Sequence, residues 1–150
     1  MGNRLRFLFT VLTFSLGATS CERNPESATE VFESRSKCAA MGEKVLHDNK
    51  EDVNLMQTQL SRYNPQTNRC YVRLEIKSYS SAQDDKYTRD EMLYDGQTKE
   101  LLAGAYWFGK EKSGHIFSDS LKRFVHNPES PSYDETDAFI YRFVAEDRTP

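Results

Sequence analysis

The residues that could carry out chemistry in this chain are its histidines, its cysteines and a few pairs of acidic residues. The three histidines, His47, His115 and His126, lack the close spacing to one another or to cysteine that is typical of zinc sites. The acidic pairs 84–85 and 90–91 lack the spacing of a calcium-binding loop. We therefore predict no metal site, no cofactor and no catalytic residues.

An enzyme is the less favoured class for this sequence. It has no Gly-x-Ser-x-Gly elbow and no glycine-rich phosphate-binding motif, since its seven glycines are scattered. A non-enzymatic protein is therefore our first hypothesis. The alternative is a small periplasmic hydrolase that uses His115 or His126 together with nearby acids.

The N-terminal segment has the composition of an export signal. Residues 1–6 carry two arginines and no acid, residues 7–18 are mainly apolar, and small residues follow up to position 20. A run of this length is shorter than the roughly 17–25 residues that a membrane-spanning helix needs. We predict that residues 1–20 are a signal peptide that is removed on export.

The end of this segment, Leu-Gly-Ala-Thr-Ser-Cys at 16–21, resembles the lipobox of bacterial lipoproteins. The resemblance implies that Cys21 is acylated and becomes the first mature residue, and that Glu22 directs the protein to the periplasmic face of the outer membrane. The alternative is ordinary cleavage after the small residues 18–20, which would release a soluble periplasmic or secreted protein.

A lipid on Cys21 would leave Cys38 and Cys70 as one pair in an oxidising compartment. A disulfide between them would stabilise the fold by roughly 3–4 kcal/mol in the chain-entropy model. Two buried free thiols that act as small hydrophobic groups are the alternative.

The rest of the chain is predicted to be a short tether and one domain. Residues 21–28 would hold the lipid site and a polar tether, and residues 29–150 a single globular domain. Loss of residues 1–20 removes two arginines and no acid, which leaves 18 basic against 23 acidic side chains and a formal charge of −5. This balance gives no electrostatic reason to bind nucleic acid.

Capping and periodicity predict a helix at each end of the domain. Ser27 and Glu30 match the capping box, and Val31, Cys38, Met41 and Val45 then share one face, which indicates a helix over about 28–47. Ser132 and Glu135 repeat the box ahead of an apolar face at 139, 140, 143 and 144, so we expect a final helix over about 133–146.

Between the helices the pattern changes to a period of two, because apolar residues at 70, 72, 74 and 76 alternate with polar ones. With 55–63 this strand forms a predicted hairpin, and 89–94 with 101–108 forms a second. Residues 80–86 and 109–114 are expected to be loops. The prediction is an α+β fold with a mainly antiparallel, four-stranded, meander-like sheet and both helices packed on one face. Cys38 and Cys70 would then point into the same layer.

The candidate binding surface consists of the outward residues of the central strand together with the one tryptophan: Tyr71, Arg73, Glu75, Lys77, Tyr79 and Trp107. Tyrosine and arginine are enriched in interface hot spots. An ordinary solvated sheet face, with Trp107 in the core, is the alternative.

The predicted function is therefore that of an exported, lipid-anchored, non-enzymatic binding or envelope-associated protein. It would contact the membrane through the lipid on Cys21 and act through a protein partner in the cell envelope. A more specific variant is an inhibitor of a cell-wall lytic enzyme, in which an acidic domain meets a basic enzyme.

Overall fold

The computed structural model describes residues 27–50, 55–79, 87–127 and 129–145. The predicted signal peptide, the lipid site Cys21 and the predicted loop at 80–86 lie outside the described residues. The elements in chain order are α1 (Ala28–Asp48), β1 (Met56–Asn64), β2 (Arg69–Tyr79), β3 (Tyr87–Asp95), β4 (Leu101–Phe108), β5 (Glu111–Ile116), α2 (Asp119–Lys122) and α3 (Tyr133–Val144).

The five strands form one antiparallel sheet in the order β1-β2-β3-β4-β5, so each strand pairs with the next along the chain. The predicted α+β class, the antiparallel pairing and both hairpins are confirmed. The predicted strand count of four was too low, because the expected charged loop at 109–114 is largely β5. Its charged residues Glu111 and Lys112 are exposed, while Gly114 and Ile116 are buried. Because buried and exposed residues alternate only in the second half of the strand, the sequence does not show the period of two.

Helix α1 begins at the predicted capping box. The Ser27 side chain accepts a hydrogen bond from the Glu30 N–H at 3.3 Å, and the Glu30 carboxylate accepts one from the Ser27 N–H at 2.7 Å. This arrangement pairs amides that the first helical turn leaves without partners. The helix packs on β1 and β2 through Cys38, Gly42 and Val45. A Cβ atom at Gly42 would lie 2.9 Å from the Ser61 Cβ, so the glycine permits this close approach.

Helix α3 packs on the opposite face of the sheet, which corrects the prediction that both helices share one face. Neighbouring residues of a strand point to opposite faces. On β2, Cys70 points to α1 and is bonded to Cys38, whereas Tyr71 points to α3, where its ring lies 4.7 Å from that of Phe143. Each face of the sheet therefore has its own hydrophobic core. We call the face that carries α1 the α1 face, and the face that carries α3 the α3 face.

The prediction failed because it treated the polar-looking residues of the central strand as a solvated face. One of them, Tyr71, is in fact a core residue. The apolar residues predicted for the final helix, Phe139, Ile140 and Val144, are buried as expected, but against β4 and β5. Periodicity shows which residues share a face of an element, but not which face of the sheet receives it.

The predicted disulfide is present. Cys38 and Cys70 are bonded, with their Cα atoms 5.3 Å apart, and both residues are buried in the core of the α1 face. The bond links the middle of α1 to the start of β2 across 32 positions of sequence. It therefore fixes how the first helix lies on the sheet.

We predict that the free energy of unfolding of the double variant Cys38→Ser with Cys70→Ser is about 3–4 kcal/mol lower than that of the parent protein. The variant lacks the disulfide, which restricts the unfolded chain of the parent protein. Urea unfolding followed by circular dichroism measures this loss. Reductant should lower the free energy of unfolding of the parent protein to that of the variant, and should leave that of the variant unchanged. Equal stability of the two proteins would show that the bond contributes nothing.

Candidate functional site

The sheet is broader than the helices that cover it. Strands lie about 4.8 Å apart and a helix is about 10 Å wide, so one helix covers two or three strands of a face. Helix α1 contacts β1 and β2, and α3 contacts mainly β4 and β5 and, less extensively, the other three strands. Each face therefore keeps a part that its helix does not cover, and these two parts are the candidate sites.

On the α3 face, this part is filled by ion pairs that we call the charged layer: Arg73, Glu75, Lys77, Arg89, Glu91 and Asp137. Three cations meet three anions, so the layer is neutral overall. The Arg73 Nε lies 2.7 Å from the Glu91 carboxylate, and the Glu75 carboxylate lies 2.8 Å from the Arg89 Nε and 2.9 Å from the Lys77 Nζ. Arg89 reaches α3 through Asp137 at 4.0 Å.

Glu91 is the most deeply buried member of the charged layer. One carboxylate oxygen accepts from Arg73, and the other contacts Arg89 without the alignment of a hydrogen bond. Burial raises the pKa of Glu91, the Arg73 guanidinium opposes this rise, and the neighbouring carboxyl of Asp137 adds to it. The neutral form of Glu91 is therefore favoured relative to an exposed glutamate.

Glu75 has the opposite balance. Burial acts to raise its pKa, but hydrogen bonds from Lys77 and Arg89 outweigh burial and hold the pKa below its ordinary value. The hydroxyl of Thr58 on β1 donates a third hydrogen bond, at 3.3 Å. The ionised carboxylate of Glu75 thus connects β1, β2 and β3 on this face.

Most of the predicted binding surface is part of this closed region. Tyr71 is buried against α3, Glu75 is buried, and Arg73 and Lys77 are partly buried in ion pairs. The alternative of an ordinary solvated sheet face is therefore wrong for Tyr71, which packs against α3, and for Glu75, which is buried among its ion-pair partners. The side chain of Tyr79 lies outside what the structure describes.

Trp107 also points to the α3 face, as the core alternative expected. Its Nε1 donates to the carbonyl of Gly109 at 2.7 Å, and the ammonium of Lys112 lies 4.2 Å from the centre of its ring. Its ring also lies 6.1 Å from that of Tyr133, measured between ring centres.

Burial raises the pKa of Tyr133 to about 12, although Arg89 opposes the rise.

On the α1 face, the part beyond the helix carries a group of partly exposed aromatic side chains and one methionine, and we call this group the aromatic face. It lies on β3, β4 and β5 and just past the end of β5, and consists of Met92, Tyr106, Phe108, His115 and Phe117. Phe108 is 59% exposed and Phe117 is 50% exposed. The ring of His115 lies 6.1 Å from that of Tyr106 and stacks on that of Phe117 at 5.9 Å.

The centre of the aromatic face depends on Gly104. The Tyr106 ring lies over this glycine, and a Cβ atom at position 104 would be 2.6 Å from the ring carbon Cζ. Burial, together with the nearby carboxylate of Asp90, raises the pKa of Tyr106, so its hydroxyl stays neutral at physiological pH. The absence of a side chain at Gly104 thus gives the Tyr106 ring its place beside His115.

One sequence signal pointed to this surface. Three aromatic residues in a row, at 106–108, cannot all face one side of a strand. The structure directs Trp107 to α3, and Tyr106 and Phe108 to the aromatic face. The contribution of His115 and Phe117 was missed, because β5 was predicted as a loop.

The hydrolase alternative would use His115 or His126 together with nearby acids. In the parts of the chain that the structure describes, the one imidazole in an ion pair is that of His47, which is exposed beside Asp48. The ring of His115 contacts aromatic residues, and His126 lies in an exposed segment, where its backbone N–H donates to Glu135. Within the described ranges, no three metal-ligating side chains are grouped to hold an ion.

We predict that Glu75→Gln lowers the free energy of unfolding by about 1–3 kcal/mol at pH 7, because the amide keeps one acceptor and loses the charge that Lys77 and Arg89 face. The folded pKa of Glu75 is below its ordinary value of 4.5. The stabilisation is therefore present above that value, and is lost as the pH falls through the folded pKa.

Urea unfolding of both proteins between pH 7 and pH 3 measures this difference. Glu33→Gln, on an exposed part of α1, is the control and should change stability little at any pH. A difference for Glu75→Gln that stays the same across the whole pH range would contradict the ionic role of Glu75.

Comparison with protein-family models, with curated proteins and with solved structures finds no match to this chain. Among the described helices, none combines the length and the apolar character needed to cross a membrane.

Proposed function

We propose that this chain is an exported, lipid-anchored, non-enzymatic binding protein of the bacterial envelope, and that the aromatic face binds its protein partner. The observation that carries the proposal is the open row of rings on β4 and β5. Phe108 and Phe117 remain about half exposed, and His115 and Tyr106 continue the row across the sheet.

An exposed group of apolar rings on a folded domain is costly in water and is typical of interaction sites. Each of these side chains is carried by, or directly follows, a hydrogen-bonded strand, so little backbone order has to be gained on binding. Aromatic side chains also lose few rotamers when they are buried, which favours them as anchors at the centre of an interface.

Acidic residues lie close to the rings. Asp90 is directly opposite Tyr106 on β3, and Glu111 is opposite Phe108 on β5. With a formal charge of −5 for the chain without residues 1–20, this supports a partner with a basic surface. A basic cell-wall lytic enzyme, inhibited by this contact, is the specific variant that fits this charge.

The proposed lipid would place the domain close to the membrane. Cys21 is six positions before Ser27, where the described structure begins, and an extended chain of that length reaches about 20 Å. The partner is therefore expected at, or just beneath, the surface of the outer membrane.

Site-specific photo-cross-linking in intact cells tests the proposal, with the cross-linker placed at Ser113 or at Lys112 of the full chain. These neighbours on β5 are both exposed and point to opposite faces, so Lys112 is the matched control. We expect one envelope protein to be captured from Ser113 and not from Lys112. Phe117→Ala should reduce that capture about tenfold, which corresponds to the loss of about 1.4 kcal/mol of binding.

Equal products from the two positions, or capture that is insensitive to Phe117→Ala, would contradict binding through the aromatic face. If the protein is an inhibitor of a lytic enzyme, the captured protein should be a basic cell-wall lytic enzyme. Capture of a partner of another kind would leave the binding proposal in place and rule out the inhibitor hypothesis.

A further inference from the structure

The outer edge of β1 has the properties of an interaction site that the proposed function does not use. β1 is an end strand of the described sheet, nine residues long and paired to β2 without a bulge. Natural proteins usually protect edge strands by short length, charges, proline or bulges. β1 contains no proline or glycine and a single charged residue, Arg62.

The first five residues of β1 are symmetric in residue class around Thr58. The segment 56–60 reads Met-Gln-Thr-Gln-Leu, so an apolar residue and a glutamine flank the threonine on both sides. If two such strands pair in antiparallel fashion about Thr58, that residue lies opposite its own copy. Each Gln57 then lies opposite a Gln59, and each Met56 opposite a Leu60.

This register also agrees with the faces of the sheet. Opposite residues have the same parity, so the α3 faces of the two copies lie on the same side and the sheet continues without a break. On that face Met56 is 59% exposed and Leu60 is 46% exposed. The pairing would cover both with apolar partners, and such cross-strand pairs stabilise sheets.

The glutamines on the other face are already ordered. The Gln57 side chain donates to the carbonyl of Asn49 at 3.0 Å, and that of Gln59 donates to the Glu43 carboxylate at 3.0 Å. Both side chains are therefore held towards α1 rather than free in solvent, and little side-chain freedom remains to be lost on pairing.

We propose that a second copy of this chain is the partner of the β1 edge, and that two copies form a continuous ten-stranded sheet with a two-fold axis at Thr58. Five residue pairs make a small interface, so the dimer should dissociate on dilution. The proposal does not depend on the aromatic face, which lies on other strands.

A cysteine scan along β1 tests the register. In an antiparallel pair, opposite Cα atoms lie about 4.5–5.5 Å apart, within the range that a disulfide bridges. The Thr58→Cys variant of the full chain should therefore form a disulfide-linked dimer in the cell envelope. Arg62→Cys, on the same strand and face but not opposite its own copy, should not, and the unsubstituted chain measures the background from native cysteines.

Sedimentation of the protein purified from membranes in detergent measures the association itself. Leu60→Lys would place a cation opposite Met56 on both sides of the axis, and should weaken the dimer at least tenfold. Tyr141→Lys replaces another exposed hydrophobic residue, on α3, and should leave association unchanged.

A parent protein that is monomeric at all concentrations would overturn the proposal. Equal cross-linking of Thr58→Cys and Arg62→Cys would overturn the register. Cross-linking of Thr58→Cys to a different protein would show that the edge serves another partner, and would likewise overturn pairing between copies.

Discussion

The fold depends on one mismatch of dimensions: a five-stranded sheet has two faces that must leave water, and the described chain supplies one long helix for each. Each helix covers only part of its face. The rest of each face is completed differently, by ion pairs on the α3 face and by open aromatic side chains on the α1 face. The two candidate sites are direct results of this mismatch.

The charged layer fills the part of the α3 face that lies beyond the main contacts of α3. The free energy that buried ion pairs lose on dehydration can exceed what their mutual attraction returns, so their presence is weak evidence for net stabilisation. Here they connect β2 and β3 to α3, since Arg89 on β3 contacts Glu75 on β2 and Asp137 on α3. At its N-terminal end, α3 also packs closely on β5 at Gly114, where a Cβ atom would lie 2.5 Å from the Ser132 carbonyl oxygen.

The sequence was sufficient to predict the features that are encoded locally. Helix α1, with its Ser27–Glu30 box, was expected over 28–47 and spans Ala28–Asp48; the final helix was expected over 133–146 and ends at Val144. The alternation in β2 was predicted from one repeated period. These features depend on near neighbours in sequence. The pairing of Cys38 with Cys70 was instead predicted from the cysteine count, with Cys21 assigned to a lipid, and from the apolar sides on which both residues lie.

The features that the sequence did not predict depend on the relation between elements. The face that receives α3 is decided by the packing of Phe139, Ile140 and Val144 against β4 and β5, and their helical spacing is the same for either face. The charged residues of β2 look solvent-facing in sequence, because their partners Arg89 and Glu91 are about 15 residues away on β3. β5 was missed because its exposed positions carry the charges of a typical loop.

In the proposed function, the partly exposed aromatic face receives a partner, whereas the α3 face is closed by contacts within the molecule. Hydroxyl-radical footprinting of the protein in intact envelopes and after purification tests this directly. Phe108 and Phe117 should be oxidised in the purified protein and protected in the envelope, whereas Tyr71 and Phe139 should be protected in both. Equal oxidation of Phe108 and Phe117 in the two states would contradict the binding of a partner to the aromatic face.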